Sequence, residues 1–170
     1  TDTSLPPPRR AEYHRGMTTP AFAHVVKSLD ELRAVAGEPS ELAVKKQIAT
    51  LDSNCRAFIA HSPFLLRATS NAAGQCDVSP KGDAPGFVRI LDDKTLAIPD
   101  RPGNNRIDGF RNIVRDPRIA LLFLIPGVGE TLRVNGRAAI SIDPELMTSF
   151  AINGKLPRSV CSVRANSRLS

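Results

Sequence analysis

Two short blocks carry the residue types that a phosphate ester needs. Ser79-Pro-Lys81-Gly82 closes a strand-like stretch, and Pro99-Asp-Arg-Pro-Gly-Asn-Asn-Arg106 runs from an apolar stretch towards a helical one. A phosphate is best held by a point charge, a planar bidentate cation, and hydroxyl or amide donors. Lys81, Arg106, Ser79 and the amides of Asn104 and Asn105 supply these. A helix read over residues 104–115 puts Arg106 and the backbone N–H groups near it at a helix N-terminus, where the dipole favours an anion. On residue type alone the same blocks also read as Pro- and Gly-rich loops with their charges in water.

Other chemistries find less support. The patterns GxGxxG, GxxxxGK[ST] and GxSxG are all absent, so Rossmann, P-loop and α/β-hydrolase readings have no motif. His24 sits at the entry and His61 at the exit of a helical region, and the three His show neither metal-ligand spacing nor a triad. Cys55, Cys76 and Cys161 are odd in number with no CxxC pair, which argues against a disulfide framework or a zinc site and for a reducing, cytoplasmic setting. The longest apolar stretch, near Ile119 to Ile125, is far short of the ~20 residues of a membrane span.

The formal charge of +6 raises the question of nucleic acid, and its location answers it. Lys155, Arg158, Arg164 and Arg168 face no acid in the last sixteen residues, and Arg9, Arg10 and Arg15 outnumber Asp2 and Glu12 at the other end. The remainder is nearly balanced. Basic tails in water explain this better than a nucleic-acid footprint, so no nucleic-acid or membrane partner is expected.

The elements that must position the two blocks are legible from period and punctuation. With seven Phe, one Tyr and no Trp among 170 residues, aliphatic side chains build the interior. Residues 1–20 read as a disordered tail containing Pro6-Pro-Pro8, with Met17 a natural start. Residues 21–62 read as N-terminal helices. Ser28 and Glu31 form a capping box before Leu29, Leu32, Val35 and Ala36, Gly37 stops that helix, and Ser40 caps a second one. Residues 53–61 continue helically with Cys55, Phe58 and Ile59 inward, until Ser62-Pro63.

Strand texture follows. Phe64 to Thr69 and Gln75 to Ser79 flank the Asn71-Ala-Ala-Gly74 turn, and Gly86 to Leu91 and Thr95 to Ile98 flank Asp92-Asp93-Lys94. Arg118 to Ile125 is almost wholly apolar and reads as a central strand buried on both faces. Thr131 to Ile142 is a further strand, in which local chemistry makes Asn135-Gly136 a type I′ hairpin or a bulge, the hairpin being favoured. Pro144 to Phe150 reads as a helical turn capped by Asp143. Short strands in hairpins, one inserted helix and no βαβ alternation give a mainly β (α+β) fold, a small antiparallel barrel.

Taken together, CRAFIAHSPFLLRATS, DVSPKGDAPGFVRILDDKTLAIPDRPGNNRIDGF and RNIVRDPRIALLFLIPGVGETLRVNGRA resemble the pyridoxamine 5′-phosphate oxidase-like flavoproteins, in particular a bacterial FMN-dependent subgroup with helices ahead of the barrel. The likeness runs over residues 28 to about 157, and the DVSPKGD and IPDRPGNNR blocks are specific in combination. It implies a split antiparallel β-barrel over residues 63–157, with FMN in a groove between the two subunits of a homodimer. Ser79, Lys81, Asn104 and Arg106, with the Asn105 amide, would hold the phosphate. Val78, Ile98, Pro99 and Asp100 would line the isoalloxazine, and Arg133 would reach the flavin or the neighbouring subunit. The resemblance also makes Asn135-Gly136 a bulge within one strand, which replaces the hairpin.

The function so implied is an FMN-dependent oxidoreductase acting on a small molecule, with a non-enzymatic flavin or haem binding or sensing protein as the alternative and a deazaflavin as another possible cofactor. The family pattern continues past Pro157 with an apolar strand, whereas residues 158–170 are basic and serine-rich and resemble a truncated or frame-shifted end. With Val160, Val163 and Leu169 as its only sizeable apolar residues, this segment is expected to be a disordered basic tail that leaves a sheet edge bare.

Overall fold

The computed structural model of the protein describes residues 24–40 and 50–169, with side chains through residue 166. The expected tail over residues 1–20 and most of the expected second helix lie outside the described residues. The chain divides into two compact units between Pro39 and Ser40.

In the first unit, helix α1 covers Leu29–Ala36. Its start follows the capping logic of its sequence: Ser28 Oγ accepts from the Glu31 amide at 3.1 Å, and Glu31 Oε2 accepts from the Lys27 amide at 2.7 Å. Gly37 ends it at φ 69°, a left-handed position open to glycine.

In the second unit, helix α2 covers Ser53–His61, capped by Asp52, whose side chain accepts from the Cys55 amide. Seven strands follow: β1 Phe64–Ser70, β2 Cys76–Gly82, β3 Arg89–Ile90, β4 Thr95–Pro99, β5 Arg118–Leu124, β6 Leu132–Ser141 and β7 Val160–Leu169. Between them stand α3, Asp108–Arg115, and α4, Pro144–Ser149. All pairs are antiparallel, in the order β2-β1-β5-β6-β7-β4-β3, and the edge strands β2 and β3 do not pair with each other. This is the mainly β architecture expected, built as an open sheet.

The turns obey local chemistry. Asn71 Oδ1 accepts from the amides of Ala73 and Gln75, and Asp92 Oδ1 accepts from that of Lys94, so each side chain closes its own hairpin. The main core gathers on one face of the sheet, from Leu65 on β1, Leu121 and Phe123 on β5, Val134 on β6 and Val163 on β7, with Ile59 of α2 and Ile113 of α3. Strand β5 is central, but it is not buried equally on both faces. Ile119, Leu121 and Phe123 are buried, while Ala120, Leu122 and Leu124 opposite them are only partly covered.

Asn135-Gly136 lies inside β6, and the hairpin does not form. Asn135 and Gly136 pair in regular register with Ala120 and Ile119 of β5. On the other side the register slips, since Val134 pairs with Leu169 and Gly136 with Ala165. A Cβ at residue 136 would stand 2.3 Å from the Arg164 carbonyl oxygen, so β7 crosses too close for any side chain.

The largest correction concerns residues 158–170. Far from being a disordered tail, residues 160–169 form β7 and are paired on both sides: Cys161 with Ile98 and Ile140, Val163 with Leu96 and Ala138. Val160, Cys161, Val163 and Ala165 are all buried. A count of large apolar residues misleads here because an interior strand gains two hydrogen-bond ladders and needs small apolar groups only at alternate positions. Cys161, Val163 and Ala165 meet that requirement, and Ser162 and Arg164 take the outward places.

Candidate functional site

The two blocks singled out in the sequence meet beside α3. Paired residues of an antiparallel ladder share a face, and β1 and β2 pair Leu65 with Lys81, Arg67 with Ser79 and Thr69 with Asp77. Asp77, Ser79 and Lys81 therefore point the same way as the buried residues of β1, while Val78 and Pro80 alternate to the exposed side. Helix α3 covers this face, with Asn112 Nδ2 donating to Thr69 Oγ1 at 3.1 Å and the Phe110 ring reaching two cations. The Arg67 guanidinium lies 4.5 Å from the ring centroid and Lys81 Nζ 5.9 Å from it.

The loop from Pro99 to α3 closes the opposite wall. Its geometry departs from the expected helix over 104–115, because the helix begins only at Asp108. Asn104 Oδ1 takes the Arg106 amide at 3.0 Å, and Asn105 is left-handed at φ 60°, so the chain turns twice before it can wind. Arg106 consequently precedes the helix and folds back on it, its guanidinium 3.1 Å from Asp108 Oδ2 and largely exposed. Arg101 anchors the loop, pairing with Asp83 at 3.1 Å and donating to the Phe150 carbonyl at 2.9 Å.

Between these walls lies a cleft of about 510 Å³, lined by Arg67, Val78, Ser79, Lys81, Asn104 and Arg106 among others. A narrower recess of about 60 Å³ adjoins it, lined by Arg67, Lys81, Asp100, Asn105, Arg106 and Arg158. The structure thus brings together Val78, Ser79, Lys81, Asp100, Asn104, Asn105 and Arg106. Ile98, Pro99 and Arg133 line neither space. Ile98 and Pro99 are buried in β4, with Ile98 in the main core, and Arg133 is exposed on β6 opposite Leu122 of β5.

Three cations in the recess, Arg67, Arg101 and Arg158, were not among the expected site residues. Arg67 sits where a strand of Phe, Leu, Ala and Thr places a charge on the inward period, and that mismatch is its sequence signal. Arg158 belongs to the segment whose composition suggests a tail. Backbone bonds from Asp100 N to Ser159 O (2.9 Å) and from Arg158 N to Asp100 O (3.0 Å) hold it there, and its guanidinium donates to Asn105 Oδ1.

The electrostatics are those of a concentrated positive pocket. Burial pushes the Arg67 guanidinium below its ordinary pKa, against the nearby Cys161 thiol and the charges of Asp100 and Asp77. Burial, and then the charge of Arg67, lower Lys81 as well. Such a site favours an anion that relieves both. Among the described residues, no group of three His, Cys, Asp or Glu is placed to hold a metal ion, and no helix is long and apolar enough to cross a membrane.

Comparison with known families decides the wider assignment. Residues 51–166, most of the chain, match the family model of pyridoxamine 5′-phosphate oxidase. The chain belongs to the pyridoxamine 5′-phosphate oxidase family. Among solved structures of this fold, HupZ of Group A Streptococcus superposes with a TM-score of 0.54 at 22% identity, covering 68% of this chain and 89% of HupZ. A Lactobacillus delbrueckii protein described as a pyridoxamine 5′-phosphate oxidase gives a TM-score of 0.57 at 19% identity, covering 72% of this chain and 94% of that one. At these identities the likeness establishes the fold, a split-barrel type whose sheet here stays open. No curated protein sequence matches the chain.

Proposed function

We propose that this member of the pyridoxamine 5′-phosphate oxidase family binds FMN in the cleft between β2, α3 and the loop after β4, and acts as an FMN-dependent oxidoreductase on a small molecule. The observation that carries the proposal is the convergence of Lys81, Ser79, Asn104 and Arg106 on one cleft about 510 Å³ in volume, with the buried Arg67 facing it. These residues suit a phosphate monoester: a compact ammonium, a guanidinium, a hydroxyl and an amide side chain, all within one concave surface. Arg67 borders this cleft as a nearly buried cation, and among the described residues no ion pair joins it to an acid, as expected of a site built around an anion.

Bound there, the isoalloxazine supplies the hydride or electron transfer. The chain's own residues hold the phosphate end, and Val78 and the loop carrying Asn104 border the space left for the ring. Homodimerisation is part of the proposal, since the outward face of the sheet carries the partly covered Leu122 and Leu124 of β5 and the exposed Val78 of β2. The three unpaired cysteines suit a reducing, cytoplasmic setting.

The test is the visible spectrum of the purified protein, with mass identification of whatever heating releases. A yellow protein yielding FMN supports the reading, and a colourless one that takes up neither FMN nor riboflavin sinks it. Reduction by NAD(P)H followed by turnover separates an enzyme from a flavin store. Light scattering that shows a monomer with a full complement of flavin would exclude the shared groove.

A further inference from the structure

The phosphate ligands read from the sequence lie on the edge strand β2 or on the loop before α3, and each is at least partly open to water. Arg67 differs. It sits in the middle of β1, only 4% exposed, among the buried side chains of the sheet. A cation in that position is normally held by a carboxylate. Among the described residues no ion pair joins Arg67 to any acid. It lies near the Cys161 thiol, Asp77 and Asp100, and packs its guanidinium on Phe110. Its Nε has no partner at all. Arg67 nevertheless borders both the cleft and the narrower recess, and in both it is accompanied by Lys81.

We propose that Arg67 is an inner anion ligand which, with Lys81, forms a two-cation floor selective for the doubly charged phosphate monoester. This rests on the FMN reading of the same cleft. The carboxylates near the recess leave an excess of positive charge. Asp83 is taken by Arg101 and Asp108 by Arg106, so Asp77 and Asp100 remain against Arg67, Lys81 and Arg158. A single dianion placed between Arg67 and Lys81 would neutralise both and remove the repulsion between the two cations. Arginine's fixed fork suits two oxygens of one phosphate, whereas lysine meets it as a point charge.

Gly109 supplies a probe that leaves every charge in place. A Cβ there would come within 2.9 Å of one terminal nitrogen of Arg67, at the far end of a flexible side chain. Gly109→Ala therefore moves the guanidinium at little cost to the fold, because alanine favours a helix over glycine. Arg67→Met is the complementary change, replacing the buried charge with an apolar chain of similar length.

The experiment is fluorescence titration of the full-length protein with FMN and riboflavin, plus displacement of FMN by inorganic phosphate. Arg67→Met is expected to weaken FMN about ten- to a hundredfold, to leave riboflavin within about threefold, and to abolish displacement by phosphate at millimolar levels. Arg67→Lys should recover part of the loss, and Gly109→Ala should weaken FMN with an unchanged or raised melting temperature. Wild-type FMN affinity in Arg67→Met, alongside a loss in Lys81→Ala, overturns the role of Arg67 while leaving the cleft assignment intact. Equal weakening of FMN and riboflavin also overturns it, since the phosphate is then not what Arg67 meets. If Lys81→Ala too leaves the preference for FMN over riboflavin untouched, the cleft assignment itself fails. Should Arg67→Met not fold, Gly109→Ala decides alone: selective loss of FMN supports the proposal and wild-type binding refutes it.

Discussion

The guanidinium of Arg158 donates to Oδ1 of Asn105, 53 residues earlier in the chain, and so ties the start of β7 to the loop ahead of α3. Asn105 holds φ 60°, a backbone state that few residues adopt without support. Arg158→Ala removes that support and one of the cations around the recess. FMN affinity should fall about three- to tenfold, as for the loss of one hydrogen bond to a charged group. Because the pair is exposed, the melting temperature should move by less than about 3 °C. Titration and a thermal melt on the same preparation check both.

Lys81 and Arg106 should not contribute equally. Lys81 is partly buried on the β2 face that α3 covers, whereas Arg106 is largely exposed and already paired with Asp108. Lys81→Ala is expected to weaken FMN about ten- to a hundredfold and Arg106→Ala only about two- to fivefold, with riboflavin little changed in either. Comparable losses in the two variants would show that Arg106 leaves Asp108 when the ligand binds.

Cutting the chain after Pro157 should abolish folding of the sheet. The cut removes Val160 and Val163, both fully buried and each worth roughly 1.5–3 kcal/mol, and takes away the strand between β6 and β4. Far-UV circular dichroism and urea denaturation of the shortened chain measure this. A cooperative transition close to that of the full chain would contradict the placement of β7.

Gly136→Ala places a Cβ against the Arg164 backbone, which cannot move aside as a side chain can. Overpacking of this kind costs typically 1–3 kcal/mol. The melting temperature should drop by about 3–10 °C, as is usual for a chain of this size.

Two thiols make stability fall in alkaline solution. Burial raises Cys55, with Asp52 adding to it, and burial raises Cys161 against the charge of Arg67, each from an ordinary 9.0 to about 11. Between those values the unfolded chain has lost protons that the folded chain keeps. Stability is therefore fully present below pH 9 and is lost as pH rises towards 11. Urea midpoints from pH 8 to pH 11 should decline, and less steeply in Cys55→Ala/Cys161→Ala. At pH 8 the exposed Cys76 should alone react with a thiol reagent until the chain unfolds.

The legible and illegible parts of this molecule differ in how local their causes are. Ser28, Asn71 and Asp143 cap or turn the chain by bonding neighbours a few residues away, so sequence reveals them. Ser79, Lys81, Asn104 and Arg106 stand out as candidates because their types suit one ligand and their blocks resemble a family, and the fold brings them to one cleft. Helix α3 starts later than its sequence suggests because Asn104 and Asn105, both good turn residues, hold the chain out of the helix. Arg67 escaped notice because nothing local says that Phe110 will cover it. Residues 160–169 were the hardest to read. Their order comes from β4 and β6, tens of residues away in the chain, and small residues such as Cys161 and Ala165 show their value only once those neighbours are in place.

The place of β7 also bears on how the molecule can be made. Strands β3 and β4 reach β6, β5, β1 and β2 only through β7, yet β7 is synthesised after all of them. On the ribosome the earlier strands must wait as two separate pieces, each with an open flank, until the stretch from Val160 to Ala165 has cleared the exit tunnel. The anion recess waits with them, because Arg158 arrives just ahead of β7. A nascent chain stalled short of that point would carry the whole DVSPKGD and IPDRPGNNR text without a finished site to hold a ligand, and its unpaired β6 flank would be exposed to other chains.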